Sequence, residues 1–263
     1  MLSFSANLGF LWKEKSLAQA INLAADAGFS AVECHWPYDQ PVEDVARALQ
    51  ETGLPMLGLN TRPGNLAAGD FGLSALPGRE TEARGAIEES IDYGSRIKAR
   101  NIHVMAGKTS GKEATNTFVS NLRFACEQAS SAGMGILIEP INTVDVPGYF
   151  LSTLAQAADI CNQVDQANIA IMFDCYHVAK MDFDVEAELE TFFAAIGHVQ
   201  FAGVPDRGPP HEGTLDYDRI FAKLESLGQA KPVGAEYRPA TTTEASLGWL
   251  DRARSGKSLL PNS

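Results

Sequence analysis

Three apolar runs of this sequence end on a carboxylate. Glu139 closes the run in "GILIEPIN" (135–142), Asp174 the run in "IAIMFDCYH" (169–177) and Glu236 the run in "PVGAEYRP" (232–239), while Gln200 takes the corresponding place in "GHVQFAG" (197–203). A lone terminal acid is readily explained as a helix N-cap or a solvated rim charge. Four oxygen-bearing side chains at the ends of successive runs ask for a common cause. Gathered at one point, three carboxylates repel one another unless a cation holds them, and an all-oxygen donor set suits Mg²⁺ or Mn²⁺. His177 follows Asp174 by three residues and is close enough to lean into the same site.

Such a meeting needs a fold in which the runs all end on one side. Eight apolar, β-rich runs recur along the chain, at 3–8, 31–36, 55–61, 101–107, 135–141, 169–174, 197–203 and 232–237. Between them lie amphipathic stretches such as 16–28 and 42–53, with apolar residues at helical spacing and Gly28 or Gly53 as a stop. Continuous apolar strands alternating with helices imply a parallel sheet covered on its faces. Eight such units in 263 residues predict a single α/β domain, a (β/α)8 TIM barrel over residues 3–254, rather than an open doubly wound sheet. No Gly-x-Gly-x-x-Gly follows the first run to support dinucleotide binding. In a barrel the C-terminal strand ends share one mouth, so Glu139, Asp174, Gln200 and Glu236 converge there from strands five to eight. The connection 61–79, "TRPGNLAAGDFGLSALPGR", is far longer than an ordinary βα loop and reads as a lid-like segment after strand three. Residues 255–263 read as a frayed surface tail.

The bulk numbers limit the partners. A net charge of −12 and the lack of a basic run argue against nucleic acid, because phosphate binding rests on clustered Lys and Arg. No apolar run is long enough for a membrane span, and the N-terminus does not resemble a secretory signal, so a cytoplasmic location is expected. Cys34, Cys126, Cys161 and Cys175 lie far apart with no Cys-x-x-Cys pair, which fits reduced thiols. Any anionic substrate must be held locally against the acidic field. Arg207 offers a bidentate fork for a carboxylate, and Lys108 follows strand four, where it can reach an anion. The segment "GKTSGK" (107–112) fails as a phosphate loop because Ile102 stands where glycine is required. His103 is a candidate for the mouth. His35 and His198 read as structural, His211 as a rim residue, and Arg79, Glu80 and Arg238 as surface charges.

Taken together, "FSANL", "PYD", "AAGDFGLSALPGRE", "IEPIN", "FDCYH", "HVQFAGVPDR" and "EYRPATTTEA" resemble the hydroxypyruvate isomerase family of the xylose-isomerase-like and endonuclease-IV-like barrels, from about residue 3 to 250. The resemblance implies aldose–ketose isomerisation of a small anionic hydroxy-keto acid. It implies Glu139 and Glu236 as the acid/base pair, Glu139, Asp174, Gln200 and Glu236 as the divalent-metal shell, and His177 and Arg207 near the substrate. A homo-oligomer is compatible with it. "IEPIN" with "VPGYFL" is similar to hydroxypyruvate isomerases proper, whereas "GLSALPGRE", "HVMAG" and "HVQFAGVPDR" are similar to 2-oxo-tetronate isomerases. A metal-dependent hydrolase of the same superfamily, a two-carboxylate glycosidase and a non-catalytic binding barrel are the competing classes.

Overall fold

Apolar runs and amphipathic stretches resolve into alternating strands and helices in the computed structural model of the protein, which describes residues 2–259. The strands are β1 (Phe4–Asn7), β2 (Ala31–Cys34), β3 (Met56–Asn60), β4 (Asn101–His103), β5 (Gly135–Ile138), β6 (Ile169–Asp174), β7 (Ile196–Phe201) and β8 (Val233–Ala235). Each pairs in parallel with the next, and β8 returns to β1 through Phe4 opposite Val233, so the sheet closes in sequence order into the expected barrel. The helices are α1 (Leu17–Asp26), α2 (Val42–Thr52), α3 (Glu80–Arg96), α4 (Lys112–Ser131), α5 (Leu154–Val164), α6 (Cys175–Lys180), α7 (Val185–Phe192), α8 (Tyr217–Ser226) and α9 (Gly248–Arg254). Among the described residues no helix is long and apolar enough to cross a membrane.

Local chemistry explains the boundaries. Ser16 and Gln19 form a reciprocal capping box that starts α1, and Gly53 ends α2 in the left-handed conformation, φ 71°. Between barrel and helices, Phe4, Phe201, Phe221 and Trp249 pack edge to face, with Trp249 centred 5.1 Å from Phe4 and 5.3 Å from Phe201. Truncating such a buried ring to alanine costs about 3–5 kcal/mol. The cysteines are free thiols, with Cys34, Cys126 and Cys175 buried and Cys161 half-buried.

Strand side chains alternate between the barrel interior and the helix layer, so residues two apart line the same interior column. This places Glu139, Asp174, Gln200 and Glu236 at the mouth. Two residues earlier, Leu137, Met172, His198 and Gly234 lie one layer deeper. The 61–79 segment is stitched to the strand-four rim by backbone bonds from Thr61 to His103 (2.9 Å), Ser74 to Met105 (3.2 Å) and Ala75 to Ala106 (2.7 Å). Arg79 grips Asp70 with two bonds, 2.7 and 3.0 Å, which closes the segment on itself. Its tip carries the exposed Leu66.

The tail differs from expectation as far as residue 259. Leu259 is buried and its amide donates to Asp218 Oδ1 at 2.8 Å, because an apolar side chain there finds the surface beside Leu2 and Phe4. Residues 260–263 lie outside the described residues.

Candidate active site

Each mouth carboxylate is delivered by a strand end. Glu139 follows β5 and is itself followed by Pro140, which lacks the N–H needed to extend a ladder. Glu236 directly follows β8 and stands three residues before Pro239. Asp174 ends β6 and also caps α6, accepting from the Tyr176 amide at 2.8 Å through Oδ1, which leaves Oδ2 for the mouth. The capping role and the site role therefore coexist on different oxygens.

All of these groups are buried, and their charge is compensated unequally. Arg207 donates to Glu236 Oε2 at 2.6 Å and to Asp174 Oδ2 at 3.2 Å. Glu236 Oε1 also accepts from Asn7 Nδ2 at 3.0 Å and lies 3.1 Å from His35 Nε2. Burial alone would raise the Glu236 carboxyl, but Arg207 and then the His35 bond outweigh it and hold this group well below the carboxylate range. Glu139 has no such support. Burial, then the charges of Glu236 and Asp174, push its carboxyl well above the ordinary value. Asp174 is pushed up to about 7 by burial, with Arg207 opposing and Glu236 adding to the rise. Two glutamates in one mouth are thus driven apart, one toward the ionised and one toward the protonated form.

The Arg207 guanidinium is sandwiched between rings, 4.8 Å from the Phe10 centroid and 5.0 Å from that of Tyr176. Its backbone is left-handed, φ 57°, an uncommon state for a non-glycine residue that the fold sustains where the side chain must enter the mouth. The guanidinium Nε is buried without a partner.

His177 lies 3.7 Å from both Glu139 Oε1 and Asp174 Oδ2 through Nε2. These three residues offer ligand-type atoms within 4.8 Å of one another. The hydrogen bonds decide which atoms can ligate. Asn142 Oδ1 accepts from the Asp145 amide at 2.7 Å, so the Asn142 NH₂ faces His177 Nδ1 at 2.6 Å and the Asn142 backbone N–H faces it at 3.3 Å. An Nδ1 that accepts puts the proton of a neutral imidazole on Nε2. Burial, reinforced by Arg207, lowers His177 to about 3, so the ring is neutral and Nε2 is a donor aimed at the carboxylates. Glu139 Oε1 and Gln200 Oε1, by contrast, are buried oxygens with no partner. Oxygen donors without hydrogen-bond donors fit a hard divalent cation.

The structure thus brings together Glu139, Asp174, His177, Gln200, Arg207 and Glu236. His103 joins them, with Nδ1 3.7 Å from Glu139 Oε2 and both ring nitrogens unpartnered, and burial lowers it to about 3. Lys108 stands apart. It is exposed, its backbone is bridged to Tyr149, and no contact joins it to the cluster among the described residues. His211 lies near Glu212 at 3.7 Å, Arg79 is committed to Asp70 and Glu82, Glu80 accepts from the Gly78 amide, and Arg238 rests over Phe10.

His35 corrects the structural assignment made from its sequence, because it reaches Glu236. The approach depends on Gly9, where a Cβ would lie 2.3 Å from His35 Nδ1. Asn7 and Glu33 were also missed. Glu33 follows "AV" near the end of its strand as the other acids follow their apolar runs, so the same pattern could have found it. Asn7 carries no comparable mark.

The model of the xylose isomerase-like TIM barrel family matches residues 21–253. The chain is 41% identical over 254 residues to the 2-oxo-tetronate isomerase of Cupriavidus necator, covering 95% of this chain and 98% of that one. It is 36% identical over 258 residues to the hydroxypyruvate isomerase of Escherichia coli, covering 97% and 100%. Among solved structures it is similar to a Brucella melitensis protein described as an AP endonuclease of family 2, at a TM-score of 0.91, 38% identity and coverage of 95% and 98%.

Proposed function

Because the chain belongs to the xylose isomerase-like TIM barrel family, as an aldose–ketose isomerase of the hydroxypyruvate isomerase type, we propose that it converts hydroxypyruvate to tartronate semialdehyde through a cis-enediolate with the help of a divalent cation. The observation that carries this reading is the meeting of Glu139 and Glu236 in one buried mouth, Glu236 bonded to Arg207, Asn7 and His35 while Glu139 Oε1 is left without a partner. The relative of highest identity given above favours a second substrate, a four-carbon 2-oxo-tetronate. Both substrates undergo the same shift of a carbonyl from C2 to C3. They differ only in whether C3 carries a second hydrogen or a hydroxymethyl group.

In this reading Glu236, kept ionised by Arg207, Asn7 and His35, removes the C3 proton. Glu139 delivers a proton to C2 on the other side of the planar enediolate, while the C3 hydroxyl proton passes to the C2 oxygen, so that the carbonyl forms at C3 and the hydroxyl at C2. The His177 Nε2–H donates to a substrate oxygen, and burial of the mouth excludes water that would protonate the enediolate out of turn. Arg207 holds the substrate carboxylate, with its unpartnered Nε the available donor. His103 borders Glu139. Asp174 and Gln200, with one oxygen each of Glu139 and Glu236, would hold Mg²⁺ or Mn²⁺, leaving the second oxygen of each glutamate free for the proton. When bound, such a cation stabilises the negative charge of the enediolate as a Lewis acid. The acidic balance of the chain supports a small substrate over nucleic acid.

The test is proton exchange in D₂O with Glu139→Gln and Glu236→Gln, assayed on hydroxypyruvate and on a 2-oxo-tetronate. Glu139→Gln, which retains the base, exchanges the C3 proton of the ketose without completing isomerisation, and Glu236→Gln does neither. Near-wild-type turnover in either variant refutes the two-glutamate mechanism. The ratio of wild-type kcat/KM values for the two acids decides between the substrates.

A further inference from the structure

One layer beneath the mouth, Glu33 on β2 reaches across the barrel to β7. Its Oε1 accepts from Ser5 Oγ at 2.8 Å, while Oε2 accepts from Gln200 Nε2 at 2.8 Å and lies 3.0 Å from His198 Nε2. The side chain is buried, and nothing in the proposed reaction uses it. β8 passes so close that a Cβ on Gly234 would lie 2.2 Å from Glu33 Oε1 and 3.0 Å from Gln200 Cγ. The absence of a side chain at Gly234 is what lets the carboxylate and the carboxamide share this layer.

We propose that Glu33 is the positioning residue of Gln200, fixing its carboxamide so that Oε1, and not Nε2, faces the divalent cation. The two ends of a carboxamide have nearly the same shape, so only the chemistry of their neighbours orients them. A carboxylate offers acceptors alone, so the end of Gln200 against Glu33 is the NH₂. The other end is then the oxygen, and Gln200 Oε1 is indeed buried with no partner. Reversed, the carboxamide would set oxygen against oxygen below and present N–H groups to a cation above. Glu33 thus does for Gln200 what an outer hydrogen-bond partner does for a ligating imidazole, selecting the atom that can ligate.

The inference rests on the cation site proposed above, and one set of titrations separates the two. Mn²⁺ binding to the metal-stripped protein is measured by the electron paramagnetic resonance of free Mn²⁺ for wild type, Glu33→Met, Glu33→Gln, Gln200→Ala and the double variant Glu33→Met/Gln200→Ala. Glu33→Met, of similar length but without acceptors, weakens binding by about tenfold to a hundredfold. Glu33→Gln, whose carbonyl can still accept from Gln200 Nε2, recovers most of that loss. The double variant binds no more weakly than Gln200→Ala, because Glu33 acts through Gln200. Wild-type affinity in Glu33→Met, or a further full loss in the double variant, overturns the inference while leaving the cation site intact. Failure of the wild type to bind Mn²⁺ overturns both. If Glu33→Met does not fold, ¹⁵N NMR of the wild type supplies the decision, with the Gln200 side-chain amide identified by its disappearance in Gln200→Ala. Slow exchange of that NH₂ with water that persists when Mg²⁺ is added supports the orientation, and fast exchange refutes it.

Discussion

Replacing Asp174 by Asn should stabilise the metal-free protein at pH 8 while abolishing its capacity to hold a cation. Burial pushes the Asp174 carboxyl from its ordinary 3.8 up to about 7. Such a displacement corresponds to about 4 kcal/mol of folding free energy lost on ionising the group at pH 8, and the side chain is too buried for solvent screening to reduce it much. The folded state binds the extra proton between about pH 4 and 7, so wild-type stability falls as pH rises through that window. Asn is relieved of this fall. It can still accept from the Tyr176 amide through its one oxygen and turns NH₂ toward Arg207, whose opposing pull is already contained in the rise to about 7. The gain at pH 8 is therefore about 4 kcal/mol, or roughly 8–16 °C in melting temperature for a chain of this size. Thermal denaturation in EDTA from pH 4 to pH 8 checks it. The advantage of Asp174→Asn should be absent at pH 4, open as pH rises and level off above 7, and Mn²⁺ should raise the melting temperature of the wild type only. A variant less stable than wild type at pH 8 by as much as at pH 4 would refute the reasoning, since Arg207 would then outweigh burial.

Arg207→Lys keeps the charge but loses the planar fork, so KM for hydroxypyruvate should rise about tenfold or more with Mn²⁺ content unchanged; equal kinetics would remove Arg207 from the substrate site. His177→Ala should lower kcat by about a hundredfold while leaving Mn²⁺ affinity nearly intact, because Nε2 carries a proton and acts as a donor; loss of the metal in a calorimetric titration would make it a ligand instead.

The barrel and the position of its mouth were legible in the sequence because both rest on local periodicity. Apolar runs of strand length alternate with helical stretches, and closure of eight parallel strands makes their C-terminal ends converge. Glu139, Asp174 and Glu236 could be singled out as candidates because each stands where its run stops, and Gln200 because it lies next to the end of its strand. Their chemical inequality was not legible. Glu236 is set apart by Asn7, 229 positions away in the chain, by His35, 201 away, and by Arg207, which enters from a loop in a left-handed conformation. His35 looked structural because a lone histidine in a strand carries no sign of which carboxylate it will meet. The tautomer of His177 and the orientation of Gln200 are likewise decided by Asn142 and Glu33, neighbours only after folding. Strand order and register are encoded residue by residue along the chain. Hydrogen-bond direction and charge compensation depend on which side chains the closed barrel sets face to face, and only the tertiary structure decides that.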